Sequence, residues 1–453
     1  MKTFDLIVIG AGSGLDVAVE TARRGWKTAI IEEGPLGGTC LNRGCIPSKM
    51  VIHSADVAEE IQKASLFGIH ARLQGVDFRK VTGRASRTVD QDSQSIKRSL
   101  QKGKNPQLYQ GKARFLSPRE VQVNGEVLHG KRILIAAGAR PSIPRLPGLD
   151  QVPYLTSTEA LRLTVLPQSM VIIGGGYIGV EMGHFYAALG CKVTIIQRGP
   201  LLIPREDQEI AETFTRLWKQ RYGIVCNCDV VRVERRKEGI AVHTQHQGKA
   251  KTFVGEKLLI ATGLQPNSDV LDLPRAGVKT NERGFIRVNG FLQTSVPHIW
   301  ALGDIAGVYL FKHSANKEAE CLLQNWFGKK RPVDYVPMPH AIFTHPQIAG
   351  VGFTEQECLQ LKKKYLRGKY EYQHTGMGAA IEEKEGFVKF LVDKTTREIL
   401  GCHILGPQAS TLIHEVVVAL RADRKNALKI LQEAIHVHPA LSEVVQRAAL
   451  QIP

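Results

Sequence analysis

Long apolar runs are missing from this 453-residue sequence: none reaches the roughly 18 residues that a membrane-spanning helix needs. The first apolar stretch, Leu6-Ile7-Val8-Ile9, is strand-length and runs straight into glycines, so it does not read as a signal peptide. No collagen-like or linker-like tract gathers the 43 glycines and 21 prolines. Cysteine is sparse, and eight in a chain this long do not make a secreted disulfide scaffold. Six of them, Cys191, Cys226, Cys228, Cys321, Cys358 and Cys402, lack metal-ligand grouping and read as small buried hydrophobes, so no metal site is expected. Aromatic residues make up only 6%, and the basic residues behind the net charge of +17 are scattered without aromatic interleaving. Nucleic acid is therefore not expected as a partner, although a phosphorylated cofactor or an acidic protein would be attracted. The expectation is a soluble, cytoplasmic protein with no membrane partner. Its 43% hydrophobic content is enough to bury the cores of about two to four domains.

What the chain has instead is a repeated pattern. The stretch Phe4–Ile9 is followed by Gly10-Ala11-Gly12-Ser13-Gly14, a helical pattern through Arg24, and a second apolar run ending in Glu32. This is a β-α-β unit: glycines let a pyrophosphate approach a helix N-terminus, and Glu32 is placed for a ribose hydroxyl. The usual third glycine is replaced by Leu15, which implies a wider helix–strand contact or a shifted turn using Gly14. A second unit opens with Met170–Ile173, then Gly174-Gly175-Gly176-Tyr177-Ile178-Gly179-Val180-Glu181. Residues Arg24–Glu33 align without a gap on Leu189–Arg198, so Glu32-Glu33 becomes Gln197-Arg198. A carboxylate repels a 2′-phosphate; an amide followed by arginine does not. The cofactor is NAD or NADP, with NADP(H) favoured at the second site and Arg205 available to add to the clamp.

The segment Gly37-Gly38-Thr39-Cys40-Leu41-Asn42-Arg43-Gly44-Cys45-Ile46-Pro47-Ser48-Lys49 follows the first unit directly. Its Cys-x4-Cys spacing is compatible with a redox disulfide at the start of a helix, where backbone N–H groups and the dipole would stabilise a thiolate. Downstream stand Ala136-Ala137-Gly138, Ala261-Thr262-Gly263, Trp300-Ala301-Leu302-Gly303-Asp304 and His436-Val437-His438-Pro439-Ala440-Leu441-Ser442-Glu443. With these motifs in this order, nearly the whole chain resembles the class I pyridine nucleotide-disulfide oxidoreductases, closest to dihydrolipoamide dehydrogenase and with features similar to mycothione reductase.

The resemblance implies an α/β fold with two Rossmann-like dinucleotide-binding domains and a C-terminal α+β dimerisation domain. The segments expected are 1–147 for FAD and the redox disulfide, 148–270 for NAD(P), 271–335 for the return to the FAD domain, and 336–453 for the interface. Gly138 and Gly263 resemble domain-junction turns. Asp304 would hold the ribityl chain of FAD, and His313 and Ala315 would open the helix facing the flavin pyrimidine. Lys49 and Glu181 would pair beside the flavin. Cys45 would sit against the flavin, while Cys40, expected to be the more accessible sulfur, would exchange with substrate. His438 would act as acid/base, oriented by Glu443, and would reach the cysteines of the other subunit in a homodimer.

The implied enzyme is a flavoprotein disulfide oxidoreductase, expected to convert dihydrolipoamide and NAD(P)+ to lipoamide and NAD(P)H, with a small disulfide or dithiol, free or on a lipoyl-carrying protein, as its partner. The alternative is an NADPH-dependent reductase of a small disulfide, of the mycothione reductase type. Glutathione is disfavoured because Glu20 stands where a glutathione reductase is expected to carry arginine, and the terminal Ala448–Pro453 lacks the paired cysteines usual in mercuric reductase.

Overall fold

The computed structural model describes residues 2–246 and 248–453. Its contacts form two compact units. One comprises the chain up to Met50, Lys80–Ser142 and Gly263–Tyr335; the other comprises Val51–Arg79, Ile143–Thr262 and Val336–Pro453.

In the first unit, apolar runs become adjacent parallel strands in the order Gln107–Gln110, Thr28–Glu32, Lys2–Ile9, Glu126–Ile135 and Ile299–Ala301. The strands Glu120–Val123 and Arg114–Ser117 continue the sheet as an antiparallel meander. Successive side chains on a strand point to opposite faces. Ile7, Ile9, Ile31, Ile133 and Ile135 enter one buried cluster, and Leu6, Val8, Ile30 and Leu134 enter the other. Both faces are covered, which is why these strands read as unbroken hydrophobic runs.

The second unit holds two further large sheets. One is all parallel, ordered Gly223–Val225, Lys192–Ile196, Ser169–Ile173, Lys257–Ile260, Tyr154–Leu155. The other is antiparallel, ordered Pro339–Ile342, Ile348–Gly352, Ile399–Leu405, Phe387–Asp393, Tyr365–Glu371. Its apolar face shares one core with Val416, Leu428 and Val444 from the C-terminal helices. The chain thus has the α/β architecture of two Rossmann-like sheets and a C-terminal α+β domain.

The antiparallel sheet also buries a charge. Lys389 is 0% exposed, and its Nζ lies 2.8 Å from Asp207 Oδ1 and 2.6 Å from Glu355 Oε2. Burial alone would lower its pKa; the hydrogen bonds to Asp207 and Glu355 more than offset this and leave it raised. Removing one partner of such a pair strands the other charge without water. Lys389→Ala is therefore expected to cost about 3–5 kcal/mol, measured by denaturant unfolding of the holoprotein. A loss below about 1 kcal/mol would show that Asp207 does not depend on this cation.

Candidate active site

Gly10 adopts φ +103°, and a Cβ there would lie 2.3 Å from the Ala136 carbonyl oxygen. Gly174 repeats the arrangement at φ +110°, 2.3 Å from the Ala261 carbonyl oxygen. Both turns demand glycine, and each leads into a helix, Gly14–Arg23 or Tyr177–Ala188, whose N-terminal end is turned to where a phosphate would bind. A Cβ on Gly12 or Gly176 would meet nothing closer than 3.8 Å, so the approach to both helix ends is open. Of the two outcomes allowed by Leu15, the structure takes the shifted turn. Gly14 makes the close contact, where a Cβ would be 2.8 Å from Val8 and Ala136 side-chain atoms, and Leu15 packs half-buried on the core. In the second unit Gly179 has that role against the Gly174 carbonyl.

The acid and its replacement do the same local job. Glu32 Oε2 accepts from Ala11 N at 2.8 Å, and Gln197 Oε1 accepts from the equivalent Gly175 N at 3.0 Å. The hydrogen bond is kept while the negative charge is lost. Arg198 and Arg205 are exposed and form no ion pair among the described residues. Gly138 and Gly263 end the runs after Glu126–Ile135 and Lys257–Ile260, and both lead into the ribbon that pairs Ala139–Pro141 with Leu264–Pro266.

Asp304 sits in the turn Gly303–Ile305, half-buried and without a hydrogen-bond donor among the described residues. Burial pushes its pKa up to about 6. His313 and Ala315 lie in the first turn of helix Lys312–Phe327, with the His313 ring stacked on Phe311 at 5.1 Å. A glycine cradle at a helix end and a carboxyl lacking a donor fit a dinucleotide with a polyol chain such as FAD. Lys49 lies in the helix Cys45–Lys63; Glu181 is buried and accepts from Phe343 N at 3.0 Å. These two residues belong to different units.

Thr39 and Cys40 occupy the short helix Gly38–Arg43, and Cys45 is the first residue of the next, Cys45–Lys63. Buried Asn42 clamps this loop by donating to the carbonyls of Leu36 at 2.9 Å and Gly38 at 3.0 Å. The two sulfurs are brought into hydrogen-bond contact. That bond to Cys45, then burial, pushes the Cys40 thiol well above its usual range, while the Lys312 ammonium acts in the opposite direction. Cys45 is exposed and Cys40 is half-buried. Cys45 stands at the start of its helix, and Cys40 sits inside the clamped loop. Lys312 had no assigned role in the sequence; its nearness to Cys40 across more than 270 residues leaves no local pattern.

At the C-terminal end, His438 Nδ1 and Glu443 Oε1 are 2.9 Å apart, and Ala440 N donates to Glu443 Oε2 at 3.1 Å. The hydrogen bond with His438, followed by that from Ala440, holds the Glu443 carboxyl below its usual range. The carboxylate is 8% exposed and the imidazole 73%, so an anchored acid aims an accessible ring. His345, by contrast, is half-buried beside Lys63, and desolvation lowers its pKa to about 4. It reads as a packing residue.

The family model for pyridine nucleotide-disulphide oxidoreductases matches residues 4–319, and that for the dimerisation domain of the same family matches 338–449. The chain belongs to this family. A dihydrolipoyl dehydrogenase of Thermus scotoductus is 35% identical over 99% of this chain and 97% of its own length. A mycothione reductase of Mycobacterium tuberculosis is also 35% identical, over 99% of both chains. Among solved structures, a Cu(II) complex of the HOCl-induced flavoprotein disulfide reductase RclA from Escherichia coli superposes with a TM-score of 0.89 at 29% identity, covering 100% of both chains. This member of the family is a flavoprotein disulfide oxidoreductase that uses FAD and a pyridine nucleotide. No helix among the described residues is long and apolar enough to cross a membrane.

Proposed function

We propose that the chain oxidises dihydrolipoamide, or a dithiol of that kind, to the disulfide while a pyridine nucleotide is reduced. The observation that carries this reading is the contact between the Cys40 and Cys45 sulfurs at the junction of two helices. FAD, when bound, supplies the two-electron exchange between nicotinamide and this sulfur pair. The segments 1–147 and 271–335 would hold it, with Gly10, Gly12, Gly14, Glu32, Thr39, Lys49, Gly138, Asp304, His313 and Ala315 contributing. Residues 148–270 would hold the coenzyme, and 336–453 would join two copies.

In the oxidising direction a substrate thiol gives its proton to His438, and the thiolate attacks the Cys40 sulfur of the disulfide. Cys45 leaves as thiolate. The second substrate thiol then attacks the mixed disulfide, and Cys40 departs with the substrate released oxidised. In the reverse direction Cys40 attacks a substrate disulfide, and His438 protonates the leaving thiolate. The exposed end of Cys45 is where a flavin ring could seat. Exposed Ile435 and Val437 flank His436 and leave an apolar surface suited to a second copy, whose cysteines His438 would serve.

Glu20 supports the exclusion of glutathione: it is paired with Arg23 at 2.9 Å and Arg24 at 2.6 Å, and offers no cation to a tripeptide carboxylate. A mycothiol-type disulfide is the second reading, favoured by the Gln197-Arg198 pair and the mycothione reductase relative. Steady-state turnover crossing NAD(H) and NADP(H) with lipoamide, glutathione disulfide and a mycothiol-type disulfide separates them. Lipoamide should give the highest kcat/KM; no lipoamide turnover would overturn the substrate assignment.

The coenzyme preference has its own test. Because Gln197 already makes the hydrogen bond that Glu32 makes, Gln197→Glu adds charge with little change in shape. Combined with Arg198→Ala, it is expected to shift the NADPH/NADH ratio of kcat/KM toward NADH by roughly tenfold or more, the worth of one charge-assisted hydrogen bond. An unchanged ratio would remove these residues from discrimination.

A further inference from the structure

Tyr177 is the first residue of helix Tyr177–Ala188, directly after Gly176, and so stands at the helix end where a coenzyme pyrophosphate would arrive. Its hydroxyl donates to Glu206 Oε1. The other oxygen of that carboxylate meets His340 Nε2 at 2.8 Å. The two rings lie 6.3 Å apart and within 20° of parallel. Glu206 is 1% exposed, and its backbone carbonyl accepts from Gln356 Nε2 at 2.7 Å. Glu206 belongs to the loop after Lys192–Ile196, whereas His340 and Gln356 belong to the C-terminal domain. Gly350, opposite His340 on the next strand, makes room for the arrangement. A Cβ there would lie 2.6 Å from His340 Cε1 and 3.0 Å from His403 Nδ1.

A carboxylate without access to water must have both oxygens paired, so only one placement of the phenol and imidazole satisfies it. We propose that Glu206 and His340 are positioning residues for coenzyme binding, fixing the Tyr177 ring at the rim of the second glycine turn. The C-terminal domain thereby sets the affinity of a site it does not line. Burial alone would raise the Glu206 pKa, but the His340 charge and the hydrogen bonds from His340 and Tyr177 hold it below the usual carboxylate value. The acceptor is thus kept ionised. This inference rests on the reading of Gly174–Gly179 as a pyridine nucleotide site.

The test is a double-mutant cycle on the FAD-loaded enzyme, with NADPH and NADH dissociation constants read from flavin fluorescence. His340→Phe is expected to weaken coenzyme binding roughly tenfold, the worth of a hydrogen bond to a charged group, with the KM for lipoamide unchanged. In a Tyr177→Phe background the same substitution should have no effect, because there is no hydroxyl left to hold. His340→Gln keeps a donor and should bind within about twofold of the parent, which separates positioning from general damage to the fold. An equal loss in both backgrounds, no loss in either, or a His340→Gln variant as weak as His340→Phe would overturn the proposal. If the parent enzyme bound neither coenzyme, the reading of the second site would fail first and the tether with it.

Discussion

Cys45→Ser is expected to lower disulfide or dithiol turnover by on the order of 10³-fold or more, with FAD still bound and pyridine nucleotide oxidation by artificial acceptors retained. Serine keeps the shape of the helix start but cannot form or release a sulfur–sulfur bond. Cys40 would then have no partner with which to store an electron pair. Cys40→Ser should give a loss of similar size, since either sulfur alone is useless to a two-electron exchange. The two variants differ in what they leave behind. Serine at position 45 can still hydrogen-bond to Cys40 but carries no thiolate, so the charge of Cys45, which also raises the Cys40 pKa, is removed and the alkylation rate of Cys40 at neutral pH should rise. Stopped-flow flavin oxidation with each acceptor, together with iodoacetamide kinetics, checks both statements. Disulfide turnover near the parent rate in Cys45→Ser would remove the pair from the mechanism.

His438→Gln is the second large effect, expected to lower kcat/KM for the dithiol by about 10² to 10⁴-fold, the range for a positioned acid/base. Its pH dependence should have a definite sign. The Cys40 thiol is pushed up by Cys45 and by burial, so without a base its ionised fraction grows tenfold per pH unit across the neutral range. In the reducing direction the variant should therefore gain rate steadily as pH rises, while the parent levels off once His438 has lost its proton. Glu443→Gln keeps a hydrogen-bond acceptor for the ring but not the charge that stabilises an imidazolium, and should fall between the two. Parallel pH profiles for parent and His438→Gln would contradict the assignment.

Much of this was legible locally. The two glycine turns, the acid at the end of Thr28–Glu32 and the uninterrupted apolar strands follow from neighbouring residues, because a β-α-β unit is built from contacts close in sequence. The His438–Glu443 pair was expected only through the family resemblance, and its two residues do meet in a hydrogen bond. Leu15 was readable only as a choice between two turns, which the contacts of Gly14 with Val8 and Ala136 decide. Glu206, His340 and Tyr177 left no signal: they are joined across 29 and 134 residues, and each alone reads as an ordinary polar side chain. Lys389 reads as a strand lysine, and only the packing of Asp207 and Glu355 around it makes a buried cation acceptable.

The most direct measurement is an anaerobic thiol count on the purified oxidised protein before and after one equivalent of pyridine nucleotide, with the visible spectrum recorded throughout. The account predicts a bound flavin and two additional titratable thiols per chain on reduction, both absent from the gain in Cys45→Ser. A protein lacking flavin, or one whose thiol count does not change when the nucleotide is consumed, would contradict it.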